Sequence, residues 1–127
     1  MKRQVINAKN APEALGPYVH AVKVGDMVFI SGQLGLDKET GELSKTLEEQ
    51  THLSLKNLGE VLKEAGLDYE DVVKTTIFLD DINDFTTVNE IYAKYFTKSY
   101  PARSCVEVGN IPKGGLVEIE AIAVKAN

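Results

Sequence analysis

Apolar residues along the 127-residue chain recur with two different periods, and the switches between them predict the elements. From Thr46 to Ala65 the stripe Leu47, Thr51, Ser54, Leu55, Leu58, Val61, Leu62, Ala65 keeps a helical repeat. Thr46 with Glu49 reads as a capping box at its start, and Gly66 supplies the left-handed residue past its end. A second helical stretch runs from about Phe85 to Phe96, capped by Asn83 or Asp84, with Phe85, Val88, Tyr92, Tyr95 and Phe96 on one face. The remaining apolar runs read as strands: Lys2-Asn7, Val19-Val24, Met27-Gly32, Val72-Leu79, Ala102-Val108 and Leu116-Lys125. Gly25-Asp26 between the second and third of these is a hairpin signal. The order β, β, β, α, β, α, β, β predicts an α+β fold, one domain over residues 1-127, with two helices packed on one face of a mixed β-sheet.

The last two strands carry the most information. Within Leu116-Lys125, Val117, Ile119, Ala121 and Ala123 form an apolar face suited to lie under the helices, while Leu116, Glu118, Glu120, Ile122 and Val124 form a mixed one. Ala102-Val108 splits into Ser104, Val106, Val108 on one side and Arg103, Cys105, Glu107 on the other. Pairing the two polar sides predicts a second sheet face that gathers Arg103, Cys105, Glu118 and Glu120. Two helices cover one face only, and Ile122 and Val124 are poorly suited to open water. Another copy of the chain is therefore expected to cover the mixed face, making a homo-oligomer.

Composition narrows the function. Charged residues make up 26% and hydrophobic residues 43%, the balance of a globular protein, and no apolar run reaches the length of a membrane span. A cytoplasmic location is expected, and a lone cysteine, Cys105, fits a reducing compartment. The net charge of −5 and the lack of a Lys/Arg stripe argue against nucleic acid as a partner. Two histidines (His20, His52) and one cysteine leave no set of ligands for a structural zinc site, and no glycine pattern matches a phosphate cradle.

Arginine and glutamate on one face suit an amino-acid-like substrate. The guanidinium fork takes a carboxylate through two parallel bonds, and a desolvated glutamate beside a second one gains proton affinity and serves as a base. A structural ion pair across a subunit interface uses the same residue types. Cys105 has no histidine placed beside it and reads as a buried small residue rather than a nucleophile. His20 reads as a strand residue and His52 as a solvated helix residue. Ser31, in Ser31-Gly32-Gln33, offers a hydroxyl and close backbone approach or simply begins a turn. Asn89 lies between Phe85 and Tyr92 and needs a polar partner. The Phe85/Tyr92/Phe96 stripe reads as core rather than as a stacking platform.

Pro101-Ala102-Arg103-Ser104-Cys105-Val106-Glu107-Val108, then Pro112-Lys113, then Glu118-Ile119-Glu120-Ala121-Ile122-Ala123 resemble the C-terminal signature of the RidA (YjgF) family. Ala11-Pro12, Gly16-Pro17-Tyr18, Ile30-Ser31-Gly32-Gln33, Val73-Lys74-Thr75-Thr76 and Phe85 through Asn89 extend the likeness over nearly the whole chain. The resemblance implies a chorismate-mutase-like domain assembled as a homotrimer with clefts between subunits. It also implies a 2-iminobutanoate/2-iminopropanoate deaminase, which hydrolyses 2-aminoacrylate or 2-aminocrotonate type intermediates to 2-keto acids and ammonia. Arg103 would grip the substrate carboxylate and Glu118 would position the attacking water, with Glu120 the competing base. Tyr18, Ser31, Gly32, Asn89 and Cys105 would line the cleft. No metal or cofactor is expected. The alternatives are a non-catalytic keto-acid or amino-acid binding regulator, and an endoribonuclease or translation inhibitor.

Overall fold

The computed structural model describes residues 2–125, so Met1, Ala126 and Asn127 of the expected domain lie outside the described residues. Six strands, β1 (Arg3–Ile6), β2 (Ala21–Val24), β3 (Met27–Leu34), β4 (Val72–Leu79), β5 (Ala102–Glu107) and β6 (Val117–Val124), join two helices, α1 (Leu47–Glu64) and α2 (Phe85–Tyr92). They form one sheet in the order β1-β2-β3-β6-β4-β5. Every neighbouring pair is antiparallel except β4 and β5, so the sheet is mixed as expected. Gly25, at φ 60°, supplies the turn between β2 and β3. Parallel strands need a crossover, and α2 provides the one between β4 and β5.

The capping residues of α1 are those predicted, but Glu49 Oε1 accepts from the Thr46 hydroxyl instead of the Thr46 backbone N–H that a full capping box would use. The Thr46 hydroxyl oxygen accepts from the Glu49 N–H at 3.1 Å, and Gly66 takes φ 75° just past the helix end. Leu55, Leu58, Val61 and Leu62 are fully buried and pack with Val28, Ile77, Ile119 and Ala121 in one core. The second helix is shorter than its periodicity suggested: α2 ends at Tyr92, not Phe96. Beyond it Lys94 and Tyr95 donate to carbonyls three residues back, so the chain tightens while Phe96 still enters the core. Neither predicted cap closes its start. Asp81 accepts from Asn83 N–H to begin a preceding 3₁₀ turn, and the Asp84 side chain makes no capping bond.

The face away from the helices carries an apolar row that crosses strands in register: Val5 opposite Val22, Val22 opposite Phe29, Phe29 opposite Ile122. Phe29 is 42% exposed and Met27 41% exposed, so the row forms an open apolar patch.

Candidate active site

Register decides where Arg103 points. On β5 it lies opposite Thr75 of β4, and Cys105 lies opposite Ile77. Thr75 and Ile77 are buried under the helices, so Arg103 and Cys105 share the helix side of the sheet. There Arg103 Nη1 donates to Asn89 Oδ1 at 2.8 Å. Its guanidinium lies 4.9 Å from the Tyr92 ring centroid and 5.4 Å from that of Phe85. Two ring faces and an amide oxygen thus hold the cation in place. The Tyr92 hydroxyl shares a 2.7 Å hydrogen bond with Thr75 Oγ1, which fixes the ring in turn. Among the described residues no carboxylate lies within ion-pair distance of Arg103. Tyr100, Pro101 and Ala93 complete the walls of a recess of about 480 Å³. Cys105 is half-buried against the core, and burial raises its thiol pKa while Arg103 opposes the shift. It packs here as a small residue.

Glu118 lies elsewhere. On β6 it is opposite Leu34 of β3 and Phe78 of β4, and Glu120 is opposite Thr76. Both carboxylates alternate with buried Ile119 and Ala121, so they occupy the open face. The expectation that Arg103, Cys105, Glu118 and Glu120 gather on one face is therefore wrong for a single chain. The reason is that β5 is an edge strand with no fully buried residue, so its hydrophobic alternation does not orient it. The parallel register with β4 does.

A bulge completes the glutamate side. Between Ile30 and Gln33 the β3–β6 register slips, leaving Ser31 and Gly32 opposite Glu120 alone. Ser31 N–H donates to His20 O and Ser31 Oγ donates to Val19 O at 2.7 Å. A Cβ on residue 32 would sit 2.7 Å from Glu118 Oε2, so the carboxylate occupies space that only glycine leaves. Tyr18, Ser31, Gly32, Lys113, Glu118 and Glu120 line a cleft of about 600 Å³. Burial, and second the charge of Glu120, push the Glu118 pKa above the ordinary 4.5. Glu120 itself is exposed. Burial thus separates two carboxylates that sequence spacing left equivalent.

The structure therefore collects the predicted residues in two groups: Arg103, Asn89 and Cys105 on one side, Tyr18, Ser31, Gly32 and Glu118 on the other. Of the stripe read from the sequence as core, Tyr92 is buried there, whereas Phe85 is exposed and is not core, and both rings form the stacking seat of Arg103. Their spacing with Asn89, at positions i, i+4 and i+7 of one helix, was the available signal. Lys113 was not singled out for chemistry, and it stands at φ 61° in a turn over the glutamate cleft. His20 is a strut: its Nδ1 accepts from Ala8 N–H at 2.9 Å and its Nε2 donates to Pro12 O at 2.7 Å. His52 is not solvated as expected but bonds the Tyr95 hydroxyl at 2.8 Å. Among the described residues no group of three His, Cys, Asp or Glu side chains is placed to hold a metal ion. None of the helices there is long and apolar enough to cross a membrane.

Comparison with known proteins adds to this geometry. The family described as endoribonuclease L-PSP matches residues 8–125. The human 2-iminobutanoate/2-iminopropanoate deaminase is 51% identical over 124 residues, covering 97% of this chain and 90% of the human one. The structure of RidA from the Antarctic bacterium Psychrobacter sp. PAMC 21119 is similar at TM-score 0.94 and 43% identity, covering 96% of this chain and 99% of that one. The structure of Escherichia coli TdcF with bound serine is similar at TM-score 0.93 and 44% identity, covering 97% of this chain and 99% of that one.

Proposed function

The chain belongs to the endoribonuclease L-PSP family, which includes the RidA/YjgF proteins, and from that premise we propose that it hydrolyses 2-imino acids to 2-keto acids and ammonia. The substrate is the imine tautomer of a 2-aminoacrylate or 2-aminocrotonate type compound. The observation that carries the reading is an arginine seated on two aromatic rings with no carboxylate partner among the described residues, available to a substrate acid. The serine bound in the related TdcF structure is a ligand of the same amino-acid class.

Because Arg103 and Glu118 face opposite sides of one chain, the working site takes them from two copies. In this reading residues 1–127 act as one chorismate-mutase-like domain, and the exposed apolar face packs on a neighbouring subunit of a homotrimer. Each contact then joins the Arg103 recess of one subunit to the Glu118 cleft of the next, a head-to-tail arrangement that closes into a ring with three clefts. Arg103, with Asn89 and Cys105 beside it, orients the substrate carboxylate. Tyr18, Ser31 and Gly32 line the opposite wall with Glu118. Water adds to the imine carbon as Glu118 takes its proton. Glu118 passes that proton to nitrogen to give a carbinolamine, then carries the carbinol hydroxyl proton to the same nitrogen as the C–N bond breaks, so that the C=O of the 2-keto acid forms and ammonia leaves. Positioning supplies most of the acceleration, because the imine hydrolyses on its own and needs no redox step. The protein acts in the cytoplasm in this reading.

A coupled assay tests it: a serine or threonine dehydratase generates the imine, and release of keto acid is followed. Arg103→Ala is expected to lose about 100-fold or more in kcat/KM. Glu118→Gln is expected to lose turnover while still binding a keto acid. Mixing the two inactive variants after dissociation should restore part of the activity, since some clefts then receive an intact Arg103 and an intact Glu118. A fully active Arg103→Ala, or mixed oligomers that stay dead, sinks the shared site. Binding of keto acid by wild-type protein without acceleration favours a ligand sensor. Salt-dependent cleavage of RNA by the pure protein favours a nuclease.

A further inference from the structure

The bulge that carries Ser31 and Gly32 is irregular backbone, and helix α1 grips the chain directly beyond it from the buried side. Gly35 runs against the α1 backbone so closely that any Cβ there would collide with Gln50. Into this contact α1 sends Gln50, Ser54 and Asn57, which share one line of the helix and are 3%, 0% and 3% exposed. None spends its polar atoms within the helix. Ser54 Oγ donates to the Gln33 carbonyl at 2.7 Å. Asn57 Nδ2 donates to the carbonyls of Leu34 and Leu36, each at 3.0 Å. Gln50 Nε2 donates to Ser44 O at 2.8 Å, and its Oε1 accepts from Leu116 N–H at 2.8 Å. Gln33, itself 6% exposed, donates from Nε2 to the Ser31 carbonyl at 3.1 Å.

Apart from those to Ser44 O and Ser31 O, these bonds fall on two stretches of main chain. One follows Gly32 without a break; the other, at Leu116, leads into β6 two residues before Glu118. A buried polar network in which every member is satisfied specifies one geometry, where an apolar contact of equal area tolerates sliding. We propose that Gln50, Ser54 and Asn57 are positioning residues for imine hydrolysis: they hold the β3 bulge and the start of β6 so that Glu118 lies over Gly32. The inference rests on the proposed deaminase reading for its kinetic consequence. Removal of the Ser54 hydroxyl takes a donor away from the Gln33 carbonyl, and the bulge loses that anchor.

The test compares Ser54→Ala with Val61→Ala, a cavity made further along the same helix at a residue that is 0% exposed and apolar. Thermal unfolding, kcat and KM in the coupled assay, and amide hydrogen exchange at Gly32 and Leu34 are measured for both. Ser54→Ala is expected to lose about tenfold in kcat with KM little changed, since a small misplacement of reacting groups is enough for such a loss. Its exchange at Gly32 and Leu34 rises. Val61→Ala loses at least as much stability yet keeps kcat and the slow exchange. Gln50→Met keeps the side-chain volume while removing both bonds, and carries the test if Ser54→Ala does not fold. A folded Ser54→Ala or Gln50→Met with wild-type kcat overturns the proposal, as does an equal kcat loss in Val61→Ala. Should wild-type protein not accelerate imine hydrolysis at all, the deaminase reading fails. Unchanged exchange at Gly32 in Ser54→Ala then refutes the positioning role by itself.

Discussion

Glu118 and Glu120 stand two residues apart on one strand face, but their environments differ. Glu118 is half-buried against Gly32, while Glu120 is exposed. Burial of Glu118 comes first among the causes of its raised pKa, and the Glu120 charge comes second. Removing that charge lowers the Glu118 pKa towards 4.5. In the proposed mechanism the base must be unprotonated to accept a proton from water, so kcat/KM is expected to rise with pH through the Glu118 pKa. Glu120→Gln is therefore expected to move the acid limb of the kcat/KM profile to lower pH and to leave the rate well above that limb almost unchanged. An inactive Glu120→Gln would assign the base to Glu120 instead. The arginine shows the same logic from the opposite sign of charge. Neutral partners, Asn89, Tyr92 and Phe85, fix its direction without neutralising it, so its attraction for an anion is kept.

At the scale of elements, α1 serves two purposes along two of its lines. Leu55, Leu58, Val61 and Leu62 hold the core, and Gln50, Ser54 and Asn57 grip the chain past the bulge. Its stability depends partly on a local cap that touches neither. The Thr46 hydroxyl accepts from Glu49 N–H and donates to Glu49 Oε1 at 3.0 Å. Thr46→Ala should cost about 1 kcal/mol in chemical unfolding and leave kcat and KM as they are. A loss of activity at unchanged stability would contradict that separation. The caps, the helical period of α1 and the Gly25-Asp26 hairpin are all local features, and each was readable from residue order. The end of α2 was not. Phe96 keeps the apolar spacing of the helix, yet the backbone leaves it after Tyr92 because burying Phe96 in the core does not require four more helical residues.

For the whole molecule, the proposed shared site makes activity depend on what covers the open sheet face. Phe29 lies in the middle of the apolar row that runs from Val5 to Ile122. Phe29→Asp puts a charge into that row without touching the core, and is expected to give a folded monomer by sedimentation with activity reduced to background. A monomer with full activity would show that one chain is enough. Much of this was legible in residue order: the α+β order, the mixed sheet and the apolar underside of β6 follow from spacing along the chain, and so do the residue types of the proposed acid-binding, water-activating site. The direction of Arg103 does not, because an edge strand without buried residues has no hydrophobic preference for either side. Its facing was decided by the parallel register with β4, a contact with residues almost thirty positions away. That pairing put the guanidinium beside Asn89 and Tyr92, the separate β3–β6 pairing with its bulge pressed Glu118 onto Gly32, and together they set Arg103 and Glu118 on opposite sides of one sheet, because strand register is fixed by residues distant in sequence.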